Sequence, residues 1–279
     1  MTRYFQSIRC GPARSAGRAG FAIAVVALAA FYVRADDDPP PISVPAVITD
    51  DFSLPPDIQA SGDQLVKLLT DLKSHNIVSL SLADHREVSE DGLEALAQHT
   101  QLQELNLRST GIRDDSLVHV ENLIELKTLD LSNTMITDDG LTHLLGLKKL
   151  EKLSLNNTGV DDAGLAVIGR LSSLRELELQ STSIDGHGLA SLEGLQDLKL
   201  LDLGDTQLKG LCLAPLRSLL GLETLHLNNT HITNEALAVL RGLPNLQLLN
   251  VNCTDVTDVG LEPFLSHQGL QFMNVCTDR

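Results

Sequence analysis

The 279-residue sequence contains no tryptophan and only two tyrosines, six phenylalanines and four cysteines. With so few aromatic side chains, a hydrophobic core must be built almost entirely from Leu, Ile, Val and Ala, a composition that suits thin, repetitive layers. Four cysteines in a chain of this length are also too few for a scaffold that depends on disulfide bonds. The composition therefore predicts an aliphatic core of regular layers.

Motifs for catalysis and for cofactor binding are missing as well. The sequence has no Walker-type glycine-rich loop, no Gly-x-Ser-x-Gly elbow, no Cys-x-x-Cys pair and no His-Glu-x-x-His helix. His119 and His143 occupy equivalent positions in adjacent repeats, but two ligands without a third make a weak metal site. We therefore expect no enzyme, no resident metal and no cofactor.

Basic residues are scarce outside the N-terminal segment. All 37 acidic residues follow position 35, whereas five arginines precede it: Arg3, Arg9, Arg14, Arg18 and Arg34. Without residues 1–35, 16 basic residues stand against 37 acidic ones. Such a surface repels phosphate groups and anionic lipid headgroups. This argues against nucleic acid or a membrane surface as the ligand of the mature chain and favours a protein partner with a basic or polar surface.

Residues 1–35 have the pattern of an export signal. An arginine-bearing stretch precedes an apolar run from Phe21 to Val33, and Val33-Arg34-Ala35 is a candidate cleavage site. The run is too short to span a bilayer comfortably. We expect a cleaved signal peptide, with an uncleaved N-terminal anchor as the alternative. Both predict a secreted or cell-envelope protein that meets the membrane, if at all, only through this segment.

Two further segments precede the regular part of the chain. Residues 36–60 are rich in Pro and Asp, a composition that favours extended, unpaired backbone and predicts a disordered linker. Residues 61–76 carry leucines at helical spacing from Leu65 to Leu72. They predict a capping helix, which the first layer of a repeat array needs to cover its apolar side.

One motif recurs at a fixed interval through the rest of the sequence. Its pattern is L-x-x-L-x-L-x-x-T-x-I-x-D-x-G-L, and its first leucine recurs every 24 residues. These leucines are Leu102, Leu126, Leu150, Leu174, Leu198, Leu222, Leu246 and Leu270. An earlier unit, one residue longer, begins at Ile77, and the last stops after its strand. Residues 77–279 are therefore expected to form eight units and a terminal strand.

The motif resembles that of the leucine-rich-repeat family. The stretches that carry the resemblance are Leu126 to Thr134, Leu150 to Thr158 and Ile136-Thr137-Asp138-Asp139-Gly140-Leu141, and the last is similar to the variant in bacterial secreted and F-box-associated repeat proteins. The resemblance implies an α/β fold: a right-handed solenoid, or horseshoe, with a parallel sheet on the concave face and short helices on the convex face. It implies recognition rather than catalysis and names no ligand.

The positions that recur in each unit have assignable structural roles. The Leu-x-Leu pair, such as Leu129 and Leu131, has strand spacing and points both side chains into the core, so the residue between them faces outward. The threonines from Thr110 to Thr254 place a hydroxyl where it can satisfy the backbone at the turn leaving the strand. The acidic residues before each Gly-Leu pair are expected to cap the outer helices rather than to bind calcium.

The outward strand positions form the expected recognition surface. The residues assigned to ligand binding are Asp130, Glu178, Leu200, Asp202, Thr224, His226, Leu248 and Asn250. This face is polar, amide-rich and partly acidic, and it is expected to contain no aromatic residue, which disfavours sugar binding and tight protein binding alike. The strongest local candidate is the patch of Leu200, Thr224, Leu248 and His226 flanked by Asp202, where exposed aliphatic side chains meet a charge.

Three alternatives stay open. The edge of the C-terminal strand, Leu270 to Val275, could recruit a second copy and make this a structural, self-associating envelope protein. Cys253 and Cys276 fall on adjacent coils, where they could form a disulfide or stay two separate thiols. Leu54-Pro55-Pro56-Asp57 followed by Leu65 to Leu69 resembles an F-box, although the export signal argues against an adaptor of that kind.

Overall fold

The main element of the structure, a computed structural model, is a ten-stranded parallel sheet. The residues described are 51–53, 66–67, 69–70, 77–88, 90–267 and 269–275. In sheet order the strands are β1 (Asp51–Ser53), β2 (Ser79–Ser81), β3 (Glu104–Asn106), β4 (Thr128–Asp130), β5 (Lys152–Ser154), β6 (Glu176–Glu178), β7 (Leu200–Asp202), β9 (Thr224–His226), β11 (Leu248–Asn250) and β12 (Phe272–Asn274). A separate parallel pair consists of β8 (Lys209–Gly210) and β10 (His231–Ile232).

Short helices return the chain from one strand to the start of the next. In the described part of the chain the α-helices are α1 (Glu90–Leu96), α2 (Asp162–Ile168), α3 (Asn234–Ala238) and α4 (Asp258–Leu265). The 3-10 helices are η1 (Asp114–His119), η2 (Gly140–Gly146), η3 (Leu189–Leu192), η4 (Ala214–Ser218) and η5 (Val239–Gly242). A parallel sheet on one side and short helices on the other is the arrangement that the repeat motif predicts.

Consecutive strands are in register across the sheet. Leu105 of β3 lies opposite Leu129 of β4, which lies opposite Leu153 of β5. From β2 onward the middle residue of each strand is at most 4% exposed. Because side chains alternate along a strand, the first and third residues of each strand face outward. Leu131, the second leucine of the Leu-x-Leu pair, is also fully buried, so the predicted inward orientation of both leucines is confirmed.

The core is one continuous row of aliphatic layers. It runs from Leu69 to Met273 and consists almost entirely of Leu, Ile and Val, with Phe264 as its one aromatic residue in the described part of the chain. Burial of a leucine stabilises the fold by about 1.5–3 kcal/mol, and in a repeat array each layer contacts mainly its neighbours. Stability therefore depends on stacking successive units.

A threonine after each strand satisfies a backbone carbonyl of the turn. Thr134 Oγ1 donates to the carbonyl oxygen of Leu131 at 2.6 Å. The same bond is formed by Thr110, Thr158, Thr182, Thr206, Thr230 and Thr254. The structural role predicted for these hydroxyls is confirmed.

The residue before each of these threonines has a left-handed backbone. Asn133 has φ 57° and Asn157 has φ 54°, a region that Asn tolerates better than most residues. Cys253 occupies the same position at φ 54°. Cys276 lies outside the described residues, so a disulfide with Cys253 and two separate thiols both stay open.

The acidic residues before the Gly-Leu pairs bind the backbone of the following unit. Asp114 accepts hydrogen bonds from both the backbone nitrogen and Oγ1 of Thr137, each at 2.7 Å. Asp138 accepts from the backbone nitrogen of Asp161 at 3.0 Å. These carboxylates lie at the start of the outer segment of one unit and contact the equivalent turn of the next. They therefore join adjacent units.

The sequence predicted that each acidic residue before a Gly-Leu pair caps the helix of its own unit. Such capping is seen at Asp161. Its carboxylate accepts from the backbone nitrogen of Ala163 at 2.8 Å. Asp162, one residue later, instead accepts from the backbone nitrogen of Asp185 in the next unit at 2.7 Å. The capping prediction is thus wrong for Asp114, Asp138 and Asp162, whose carboxylates accept hydrogen bonds from N–H groups of the next unit.

The sheet begins earlier than the sequence indicates. β1 lies inside residues 36–60, expected to be an unpaired linker, yet it pairs in parallel with β2, with Phe52 opposite Leu80. Its Asp-Phe-Ser sequence has the polar-apolar-polar order of the other strands, which the surrounding prolines obscure. The described residues of the predicted capping helix, 61–76, are helical, and Leu69 among them is fully buried.

Several sequence-based predictions concern parts of the chain that are not described. The export signal at residues 1–35 and the Leu54 to Asp57 stretch that resembles an F-box lie outside the described residues. Within the residues that are described, no helix has the length and apolar character needed to cross a bilayer.

Candidate recognition surface

The outward residues of the ten-stranded sheet form two rows, which together we call the sheet face. The first residue of each strand contributes to one row and the third residue to the other. From β7 onward the first row is Leu200, Thr224, Leu248 and Phe272. From β6 onward the second row is Glu178, Asp202, His226, Asn250 and Asn274. All eight residues assigned to ligand binding lie on the sheet face.

The first row forms an apolar stripe at the C-terminal end of the sheet, and we call Leu200, Thr224, Leu248 and Phe272 the apolar stripe. Neighbouring strands lie about 4.8 Å apart, so these side chains are adjacent. Phe272 is 53% exposed, and the other three are half-exposed. The register therefore brings together three residues that the sequence proposed as a patch.

Phe272 is the member of the stripe that sequence reasoning missed. The prediction of a face without an aromatic residue is wrong, because β12 adds the exposed Phe272 to the row that contains Leu248. The 24-residue interval was the signal that could have found it, since Phe272 follows Leu248 by that interval and pairs with it.

Asp202 lies beside the apolar stripe in a partly buried position. One carboxylate oxygen accepts a hydrogen bond from the backbone nitrogen of Gly204 at 2.8 Å. Burial raises the pKa of Asp202, the charges of Glu178 and Asp205 raise it further, and the Gly204 N–H and His226 oppose the rise. Ionisation of this carboxylate therefore costs free energy in the folded chain. A cation bound above it would reduce that cost.

Two other residues assigned to ligand binding also shape their own turns. Asp130 accepts from the backbone nitrogen of Ser132 at 2.9 Å, and Asn250 accepts from that of Asn252 at 3.2 Å. The Asn250 amide nitrogen donates to Asn228 Oδ1 at 2.9 Å. Each residue therefore holds the chain where it leaves the strand and still presents polar atoms on the sheet face.

Glu178 is held in a polar network at the centre of the sheet face. Lys152 Nζ lies 2.8 Å from Glu176 Oε2 and 2.9 Å from Glu178 Oε1. Ser154 Oγ and Asn156 Nδ2 donate to Glu178 Oε2 at 3.1 and 3.0 Å. Although burial disfavours the charged amine, hydrogen bonds to the two carboxylates raise the pKa of Lys152. Glu178 is consequently less available to a ligand than the sequence suggested.

Charge is distributed unevenly along the sheet face. The acidic residues at outward positions of β3–β7 are Glu104, Asp130, Glu176, Glu178 and Asp202, and the one basic residue there is Lys152. The outward residues of β9, β11 and β12 are Thr224, His226, Leu248, Asn250, Phe272 and Asn274, with no Asp, Glu, Lys or Arg among them. The face thus has an acidic half and an uncharged, partly apolar half.

The histidine pair considered as metal ligands is not gathered into a site. His143 Nδ1 lies 3.2 Å from Glu121 Oε2. In the part of the chain that the structure describes, no cluster of three or more His, Cys, Asp and Glu side chains is arranged to hold a metal ion.

Comparison with known proteins identifies the repeat and the fold. A leucine-rich-repeat family model matches residues 125–145 and 242–265. No curated protein matches the sequence. An internalin (inlF) from Listeria monocytogenes is similar over 75% of the chain and 62% of its own length, which is less than two thirds, at 22% identity and a TM-score of 0.56.

A plant protein has a similar structure. The peptide hormone receptor RGFR1, solved in complex with RGF2, is similar over 80% of this chain and 45% of its own length, at 16% identity and a TM-score of 0.50. Similarity at these identities concerns the fold. It agrees with the parallel sheet and the stacked leucine layers described above.

Proposed function

We propose that this chain, whose repeats match the leucine-rich-repeat family model, is a non-catalytic recognition module that binds a protein or peptide through the sheet face. Stacked repeats of this kind commonly serve as surfaces for protein interaction. The observation that carries the proposal is the apolar stripe, in which the partly buried Leu248 and the exposed Phe272 lie in register on adjacent strands.

The apolar stripe has the properties of a binding anchor. Single exposed leucines are common on protein surfaces, but adjoining apolar side chains such as Leu248 and Phe272 form a patch of the kind that marks interaction sites. An aromatic side chain can bury about 150–250 Å² and often dominates the energy of an interface. Strands held by buried leucines keep Phe272 and Leu248 in place, so little conformational entropy is lost when a partner binds.

The class of partner is supported by one structural relative. The receptor RGFR1 is described as a peptide hormone receptor in complex with RGF2. A peptide or protein partner for this chain is consistent with that example. The N-terminal arginines and apolar run at residues 1–35 further support a secreted or cell-envelope setting, which cell fractionation with and without that segment would test.

The proposal is tested with a pair of matched variants of the full chain. Leu248→Ser with Phe272→Ser removes the apolar side chains of the stripe. Ile124→Ser with Leu220→Ser removes side chains that are 55% and 52% exposed in the connections leading to β4 and β9. Partners are captured by crosslinking from a native extract. Charge reversal at Asp130 or Asp202 is a poorer choice because both accept backbone hydrogen bonds.

The two variants should behave differently. We expect a partner captured by the parent chain to be retained by Ile124→Ser/Leu220→Ser and lost by Leu248→Ser/Phe272→Ser. Retention by the stripe variant, with its denaturation midpoint close to that of the parent, would show that the sheet face is not the binding surface.

Self-association as a structural envelope protein is the second candidate. Residues 269–275 carry no charged side chain, and in the described residues β12 pairs on one edge only. Edge strands are usually protected by charges or proline, so an uncharged edge can pair with a second copy. Sedimentation equilibrium would show a mass that rises with concentration, and Asn274→Lys should return it to that of the monomer.

A further inference from the structure

We infer that the partner binds as one polypeptide segment lying across the strands, with basic residues over β3–β7 and apolar side chains over β7–β12. The inference rests on the proposed recognition function and specifies the chemistry of its ligand. It follows from the division of the sheet face into an acidic half and an uncharged half.

The acidic half has an excess of carboxylates over cations. Among the described residues, the ion pairs on this half are those of Lys152 with Glu176 and Glu178. Glu104, Asp130 and Asp202 therefore face outward without a Lys or Arg partner. Basic side chains of a ligand would supply the missing charges, and such charge complementarity sets specificity and speeds association.

The neighbouring row at the entrance to the strands offsets this excess only in part. That row carries the cations Lys127, Arg175 and Lys199 and the anions Glu151 and Glu223. Two of the cations are paired within the row: Arg175 Nε lies 3.6 Å from Glu151 Oε2, and Lys199 Nζ lies 2.9 Å from Glu223 Oε1. These pairs join adjacent units along the edge of the sheet face. The uncompensated negative charge thus stays on the outward strand positions themselves.

The uncharged half offers a different kind of contact. Leu200, Leu248 and Phe272 lie in one row, and the polar residues beside them are His226, Asn250 and Asn274. A Lys or Arg placed there would lose hydration without gaining an ionic partner, whereas an apolar side chain would gain buried area. The apolar end of the ligand should therefore lie over this half.

The dimensions fit a short segment. From β3 to β12 the sheet has eight strands, which at about 4.8 Å spacing gives roughly 34 Å. An extended chain rises about 3.3 Å per residue, so about ten residues reach across the face. A second copy of this chain is a poor occupant of the acidic half, because its net charge is −16.

The test is selection of a displayed library of random 12-residue peptides on the immobilised full chain. We expect the enriched sequences to carry Lys or Arg toward one end and Leu, Phe or similar residues toward the other. A synthetic copy of the most enriched peptide is then titrated against variants. We expect Phe272→Ser to weaken its binding at least tenfold and Ile124→Ser/Leu220→Ser to leave it unchanged.

The acidic half is tested with Glu104→Gln and Asp130→Asn, which remove charge but keep an oxygen for the bonds from Ser79 Oγ and from the Ser132 nitrogen. Together they should weaken binding about tenfold and reduce its dependence on salt. Unfolding midpoints confirm that the variants fold.

The outcomes separate the inference from the proposed function. The inference would be overturned if the enriched peptides depend on Phe272 for binding but have no basic end, or if their affinity is unchanged by Glu104→Gln/Asp130→Asn. Either result would leave the proposed recognition function standing. If the library yields no peptide whose binding depends on Phe272, both the inference and the proposed recognition of short segments through the sheet face are overturned.

Discussion

The carboxylate of Asp114 occupies the space beside Gly140 where a Cβ atom would lie. The same relationship joins Asp138 to Gly164 in the next unit. In both cases the acid belongs to one repeat and the glycine to the following repeat. The Asp-x-Gly part of the motif is therefore a contact between units: the acid binds the next turn, and the glycine makes room for it.

This relationship predicts a non-additive double-mutant cycle. Gly140→Ala should lower the free energy of unfolding by about 1–3 kcal/mol through overpacking. Asp114→Ala should lower it by about 1–3 kcal/mol, because Thr137 loses two hydrogen-bond acceptors. In the Asp114→Ala background the alanine at 140 should cost less, since the contact with the carboxylate is gone and only the contact with the Cα atom of residue 114 at 3.0 Å remains. Urea denaturation of the four proteins measures the coupling.

The control for this cycle is Gly194→Ala. No atom lies within 4 Å of a Cβ built at that glycine. We therefore expect a change within about 0.5 kcal/mol, as for ordinary surface substitutions. Additive effects of Asp114→Ala and Gly140→Ala would contradict the proposed contact.

The hydrogen bond from the threonine that follows a strand leads to a second prediction, which concerns the free energy of unfolding of two Thr182 variants. Thr182 Oγ1 donates to the carbonyl oxygen of Leu179 at 2.6 Å in a buried turn. Thr182→Val keeps the shape but removes the donor, so the free energy of unfolding should fall by about 1–2 kcal/mol. Thr182→Ser retains the hydroxyl and should cost clearly less. A larger loss for Ser than for Val would mean that the methyl group, not the hydrogen bond, is what matters.

The register of the sheet predicts opposite responses at inward and outward leucines. Leu153 is fully buried in the middle of β5, whereas Leu200 is half-exposed on the sheet face. Leu153→Ala should cost about 2–5 kcal/mol by leaving a cavity. Leu200→Ala should cost under about 1 kcal/mol. Thermal unfolding checks both, and similar losses at the two positions would contradict the register.

The sequence predicts well what each unit does by itself. The Leu-x-Leu spacing is enough to place Leu129 and Leu131 in the core, and the threonine positions are enough to place hydroxyls at the turns. It predicts less well what depends on the neighbouring unit. The bond from Thr137 to Asp114 joins residues 23 positions apart, and no local propensity indicates it.

The candidate site shows the same limit. The alternation of the strands identifies Leu200, Asp202 and Leu248 as outward residues without a structure. The ion pair that occupies Glu178 could not be predicted, because it depends on the side chain of Lys152 reaching across from the preceding strand. Phe272 was predictable from the interval alone, since it follows Leu248 by 24 residues.

The raised pKa of Asp202 predicts a stability difference that grows with pH. Because burial, and then the charge of Glu178, raises this pKa above the ordinary value of 3.8, the folded chain binds a proton more readily than the unfolded chain. The carboxylate therefore costs stability as pH rises from the ordinary value through the raised one. Asp202→Asn stays neutral and keeps the oxygen that accepts from Gly204, so its unfolding free energy should match the parent near pH 3 and exceed it at pH 7. Urea denaturation at both values checks this, with Asp130→Asn as the geometric control. A variant less stable than the parent at pH 7 would show that the fold favours the charged form.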